Sequence, residues 1–264
     1  MDKEEGASAE SLESLVAHVR AWARHGIHFH LEPVRRTPDP VLLRLKEEVG
    51  PVVVVENGAT TYRFSHRHPD RSLQGQCSKE FLDPAALERA LDPVLRLSNP
   101  AGCIVLLCFA PVFPTEQMSA GTFLGKLVPF LDRIPHGCRY AVELHTPAYL
   151  LPEYLVCLRE RNIAHVLHDT PPAPALVDQV LTPGIFTADF SLLRITANMR
   201  GLTGETGLGL REAIRRCIDG KMELLIHIDA LGSPGGGFAQ FLSAMMIMLN
   251  PDLARLSPIR RRAA

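Results

Sequence analysis

The sequence predicts an α/β fold of parallel strands whose carboxyl ends gather on one rim, and three observations lead to that prediction. The first is the stretch from Phe130 to Thr170, where two apolar strand-like runs each end in titratable residues, Glu143 with His145 and His168 with Asp169. Between them, Leu151, Leu155 and Leu158 recur at spacings of three and four after a break at Pro147, the period of an amphipathic helix. Two short strands joined by one helix pair in parallel through a right-handed crossover, so side chains at their carboxyl ends converge. The second is Cys103 to Phe109, an uninterrupted apolar run of the kind buried on both faces in parallel sheets. The third is size: 264 residues, 46% of them hydrophobic, suffice for one large core, and barrels of this length fold as a single domain.

Taken in order, residues 1–10 are acidic and small and are expected to be disordered, 11–252 to form the domain, and 253–264 to form a loose basic tail with Arg255 and Arg260 to Arg262. Leu12, Leu15, Val16, Val19 and Trp22 predict a helix over 11–25 with Ser11 as its cap. Ile27 to Glu32 then alternates Ile27, Phe29 and Leu31 with His28, His30 and Glu32, the period-two pattern of a strand, closed by Pro33. A helix is expected over 40–49. After it, Pro51 to Glu56 and Thr60 to His66 flank Asn57-Gly58, which predicts a β-hairpin over 51–66 with a type I′ turn. Arg67 to Lys79, with His68, Arg71 and Gln76, is expected to be an irregular loop, and Pro84 to Leu97 a helix with proline at its start. Beyond the proline-rich loop 171–174, Asp189 to Ile195 is a predicted strand, Leu208 to Ile218 a helix and Met222 to Ile228 the last strand. Ser233 to Gly237 leads into an apolar helix over 238–249, in which Met245, Met246 and Met248 fill core.

The formal net charge of −1 argues against non-specific polyanion binding, so nucleic acid is not indicated as a partner. Six cysteines without any Cys-x-x-Cys spacing, several inside apolar runs, predict free thiols and a reduced, cytoplasmic setting. No leader pattern and no run near about 18 uncharged apolar residues is found, so secretion and membrane spanning are not expected.

The order RYAVEL-H-TP-AY, RERNIAHVL-HDT, TADFSLLRIT and MELLIHID, densest from Phe123 to Leu249, resembles the YecE-like family, also called domain of unknown function 72. The resemblance implies a TIM-type (β/α)8 barrel and brings no settled reaction with it. In the family the first of these runs reads Ala-Val-Glu-x-Arg-His-x-x-Trp. Here Glu143 is kept, His145 stands for the Arg, Thr146 for the His and Tyr149 for the Trp. Arg194 matches the family's strand-end Arg, Thr196-Ala197 replaces a His-Gly, His227-Ile228-Asp229 replaces a Phe-Asn-Asn, and Cys108 takes a Gln position, so a polar rim group is lost there. Family members also open on a strand before the first helix, and none is found before Ser11. The resemblance therefore implies a barrel incomplete or rearranged at its amino-terminal side. The exposed edge would be covered by the 51–66 hairpin, by the amino-terminal segment or by a homodimer contact.

The strand-end residues, among them His30 and Glu32, His66 and His68, Cys108, Glu143 and His145, His168 and Asp169, Arg194, and His227 and Asp229, would gather at the face where barrels of this type place catalytic groups. Glu143 is expected as a general acid/base or substrate anchor, with Arg194, His145 and Asp169 completing the catalytic set. The competing reading is a structural Glu-Arg pair in the barrel mouth for the first two and turn chemistry for Asp169. His168, His227 and Asp229 are candidate ligands for a divalent metal such as Zn, Mn or Fe, against the alternative of a solvated polar network. Gly235, Gly236 and Gly237 at a helix start, together with Glu32, are candidate ligand-binding positions, although three glycines also mark flexible connections. The functional expectation is a rim that binds a small anionic or phosphorylated ligand, with hydrolysis as an accompanying activity. The alternatives are a metal-dependent hydrolase of amidohydrolase or endonuclease type, and a non-catalytic interaction barrel.

Overall fold

The computed structural model describes Ile27–Leu31, Val52–Glu56 and residues 58–65, 69–96, 102–112, 118–196 and 204–229. The helices expected over 11–25, 40–49 and 238–249, both termini, Glu32, His66, His68 and Gly235 to Gly237 lie outside the described residues.

The apolar runs form seven strands: β1 (Ile27–Leu31), β2 (Val52–Glu56), β3 (Cys103–Phe109), β4 (Arg139–Leu144), β5 (Ala164–His168), β6 (Phe190–Thr196) and β7 (Glu223–Asp229). They make one all-parallel sheet in the order β1-β7-β6-β5-β4-β3-β2. This is the order of a barrel read around its ring, with the two end strands consecutive in the chain. No ladder joins β1 to β2 among the described residues, so the sheet is a curled, incomplete barrel. The curl follows from side-chain contacts. Val53, Ile104, Leu106, Ala141, Ala164, Val166, Phe190, Leu192 and Leu225, drawn from β2 to β7, pack into one cluster, and below it Arg139 of β4 bonds Glu223 of β7 across β5 and β6, three strand spacings or about 14 Å apart on a flat sheet.

Two expectations are corrected. The strand Ile27–Leu31, expected to follow a lost first strand, itself takes the first strand's place beside β7, and the open seam among the described residues lies between it and β2. Nor does a hairpin form over 51–66. β2 pairs in parallel with β3, and among residues 58–65 only Arg63 makes a bridge, an isolated one to Cys77. Burial decides against the local turn signal: Ala59 and Thr60 are sequestered, Tyr62 packs edge-on against Phe81, and Phe81 packs likewise against Phe109 of β3.

Helices cover the convex face. α1 (Pro84–Leu95) has proline at its first position and Asp83 capping the Ala85 amide. α2 (Ala120–Leu131), not foreseen from the sequence, is capped by Ser119. A 3-10 turn (Pro147–Tyr149) follows β4 and leads to α3 (Pro152–Arg159), and α4 (Leu176–Leu181) and α5 (Glu205–Asp219) complete the set among the described residues. α4 and α5 pack closely because position 209 is glycine, where a Cβ would stand 2.6 Å from the Val177 amide nitrogen. Beneath these helices lies the larger cluster, to which the strands contribute the alternate residues Val105, Leu107, Val142, Leu144, Leu167, Leu193, Ile195 and Ile226.

Candidate functional site at the carboxyl rim

Period-two alternation sends Leu106 and Cys108 of β3, Ala141 and Glu143 of β4, Val166 and His168 of β5, and Leu192 and Arg194 of β6 to the concave face. The first of each pair belongs to the apolar floor and the second stands one layer higher, at the carboxyl end. Register aligns them: Cys108 is opposite Glu143, His168 opposite Arg194, Arg194 opposite His227, and His227 opposite His30.

At the centre is the Glu143 carboxylate, fully buried. It accepts from Arg194 Nη1 at 3.0 Å on Oε1 and 2.9 Å on Oε2, and from His145 Nε2 at 2.5 Å on Oε1. The Glu143–Arg194 bond passes over β5, joining the ends of β4 and β6. Burial alone would push the Glu143 carboxyl up. The His145 hydrogen bond and the Arg194 charge outweigh it and hold the group at about 2.

Cys108 Sγ lies 3.7 Å from both Glu143 Oε1 and His145 Nε2, and burial together with the Glu143 charge pushes its thiol up to about 12. The His168 ring stacks at a tilt on His145, with centroids 4.7 Å apart, and its Nε2 meets the Leu144 carbonyl oxygen at 3.3 Å. Burial pushes the His168 pKa down, so its neutral imidazole is favoured. Gln179 of α4 braces this strand end: its Oε1 accepts from the His168 amide and its Nε2 donates to the His168 carbonyl.

The structure brings Glu143, His145 and Arg194 together, with His168 and Cys108 beside them. Asp169 sits apart in role. Its Oδ1 accepts from the Thr196 amide at 3.0 Å and the Thr196 hydroxyl at 3.3 Å, tying the end of β5 to the end of β6. His227 is buried beside Arg194 in register, and Asp229 is the backbone partner of Thr196. The donor atoms that lie within 4.8 Å of one another among the described residues are those of Cys108, Glu143 and His145, a different set from the expected His168, His227 and Asp229. Sequence reasoning placed Cys108 at a strand end but saw only a lost polar group. Gln179 left no such signal, because a glutamine in a short helix does not announce a strand end 11 residues earlier in the chain.

A family model described as protein of unknown function DUF72 matches residues 60–216. The chain belongs to this family. The DUF72 match includes Cys108, Glu143, His145, His168 and Arg194, and leaves β1, β2 and β7 outside it. Among solved structures, the chain is similar to a DUF72 family protein from Enterococcus faecalis V583, at 16% identity and a TM-score of 0.48, over 85% of this chain and 97% of that one. It is also similar to a DUF72 family protein from Thermotoga maritima MSB8, at 16% identity and a TM-score of 0.45, over 86% of each chain. No curated protein matches it. No helix among the described residues is long and apolar enough to cross a membrane.

Proposed function

We propose that the carboxyl rim binds a small anionic or phosphorylated ligand, with Arg194 as its charged contact. The supporting observation is the asymmetry of the central ion pair: the Glu143 side chain is 0% exposed and the Arg194 side chain 18%, so what the pair offers to solvent is cationic. Planar guanidinium donors suit phosphate and carboxylate oxygens. Parallel α/β sheets bind ligands outside the carboxyl ends of their strands, where Arg194 stands.

In this reading Glu143 is electrostatic rather than a proton donor. Held at about 2, it is ionised at neutral pH and too weak a base to abstract protons efficiently. Its work is to fix Arg194 and His145. Where binding is accompanied by hydrolysis, His145 is the group of this cluster suited to move a proton.

The test is calorimetric titration of the full chain with inorganic phosphate and with a simple phosphomonoester. Arg194→Gln alone leaves a buried carboxylate without its partner, so the informative variant is Arg194→Gln with Glu143→Gln, which removes both charges. This double variant should fold and lose at least ten-fold in affinity. Phosphate binding unchanged in the double variant would refute the assignment.

A further inference from the structure

We infer that Cys108, Glu143 and His145 form a site for one zinc ion, with a coordination position left open. This goes beyond anion binding, since it requires no second ligand. The three donor atoms come from adjacent strands whose register already places Cys108 opposite Glu143, so the backbone that must hold the ion is fixed by the sheet. In a tetrahedral zinc site with bonds of about 2.0–2.3 Å, neighbouring ligand atoms stand roughly 3.3–3.6 Å apart. Sγ lies 3.7 Å from Oε1 and 3.7 Å from Nε2, so two of the three edges are close to that size. The third, from Nε2 to Oε1, is 2.5 Å and spanned by a hydrogen bond. Replacing the shared proton with the ion opens that edge by about 0.8 Å, a change that side-chain rotation can supply.

The charges accommodate the ion. Glu143 Oε1 faces Cys108 and His145, while Oε2 can keep Arg194 at 2.9 Å, so one carboxylate binds the metal and is oriented from behind by the guanidinium. On binding, Cys108 releases its thiol proton to solvent and His145 binds through Nε2 with its proton on Nδ1. A thiolate, an imidazole and a carboxylate together suit zinc better than calcium or magnesium, and three protein ligands with an open fourth position is the arrangement of zinc sites that perform chemistry.

A second observation is independent of these distances. The His168 imidazole is buried, its ring lies against that of His145, and its Nδ1 has no hydrogen-bond partner among the described residues. A buried nitrogen left unpaired is costly, and His168 is not one of the mutually adjacent donors, so the partner that the site would supply is a water on the open coordination position beside His145.

The experiment uses the full chain, stripped with a chelator and titrated with Zn2+ by calorimetry and with Co2+ by absorption, without phosphate present. One equivalent should bind, and the Co2+ form should show a thiolate-to-cobalt charge-transfer band. Cys108→Ser should abolish the band and weaken Zn2+ binding at least ten-fold, His145→Gln should weaken it similarly, and Cys77→Ser, at an exposed cysteine, should change neither. A melting curve of each metal-free variant establishes that it is folded, and if Cys108→Ser is not, His145→Gln decides. No stoichiometric binding, or binding equally strong in the variants, would overturn the site. Because phosphate is left out, the result stands apart from the fate of the anion-binding reading.

Discussion

The concave face of the sheet holds an ion pair at each end, and the two are built differently. At the amino ends, Arg139 of β4 bonds Glu223 of β7 at 2.5 and 3.4 Å, with the guanidinium 4.8 Å from the Phe190 ring centroid, and the two side chains are 27% and 31% exposed. At the carboxyl ends, Glu143 has no exposure, its partner Arg194 has 18%, and Cys108, His145 and His168 crowd around them. Between the two lies the apolar floor of Ile104, Leu106, Ala141, Val166 and Leu192. The lower pair spans the curl from β4 to β7 and is wetted by solvent on both partners. The upper one concentrates titratable groups where desolvation makes each of them expensive, an arrangement that stability alone does not call for.

The largest effect expected from breaking this comparison is that of Glu143→Gln, which removes the buried carboxylate bonded to both Arg194 and His145. It should cost about 3 kcal/mol, at the lower end for buried pairs because Arg194 keeps some contact with water, and lower the melting temperature by roughly 10 °C. Adding Arg194→Gln should recover most of that loss. If the double variant is no more stable than Glu143→Gln, the pair is not the source of the cost.

Acid provides the next test. Glu143 is held at about 2, below its unfolded value near 4.5, so it contributes stability that is complete above pH 4.5 and is lost as pH falls through about 2. The full difference is worth about 3 kcal/mol. On the convex face His165, whose Nδ1 meets the Tyr154 hydroxyl at 3.1 Å, is held by burial at about 3. Its share of stability is complete above pH 6.5 and declines as pH falls toward 3. Chemical denaturation across pH should therefore show an early decline that His165→Phe flattens and a later one that Glu143→Gln removes. A single decline, altered by neither variant, would contradict both assignments.

A smaller effect belongs to the packing of the convex face. Gly209→Ala forces a Cβ onto the α4 backbone at 2.6 Å and should cost about 2 kcal/mol, read as a shifted denaturation midpoint with the zinc and phosphate titrations unchanged. The smallest effect expected is that of Glu223→Gln, below about 1 kcal/mol, since a pair this exposed is well screened. A loss as large as that of Glu143→Gln would erase the distinction between the two ends.

Much of the fold was legible in the chain. β3, β6 and β7 lie within one residue of their predicted spans, and β4 and β5 end at the titratable residues expected to end them, because a strand buried on both faces must be apolar throughout and stops where polar residues resume. α3 and α5 were found from leucine spacing and a glycine loop, whereas α2 was missed: its interior Pro129 reads locally as a helix breaker, yet it sits near the last turn. The hairpin failed for the opposite reason. Asn57-Gly58 is a strong local signal, but the valines of β2 gain more by lying beside β3, and the residues after the turn gain more by burying Thr60 and packing Tyr62 on Phe81.

The sequence by itself determined that Glu143, His145, His168 and Arg194 end parallel strands, since apolar runs and their polar stops are properties of a few neighbouring residues. Which of those ends meet was decided only in three dimensions. Arg194 reaches Glu143 across β5, and Cys108 turns from a lost polar group into a neighbour of both Glu143 and His145, because ring order, register and curl set these distances. Those three quantities arise from helices packing on the convex face, as where Gly209 admits the α4 backbone, and from the apolar floor packing on the concave one. They are sums over contacts far apart in the chain, and no short stretch of sequence contains them.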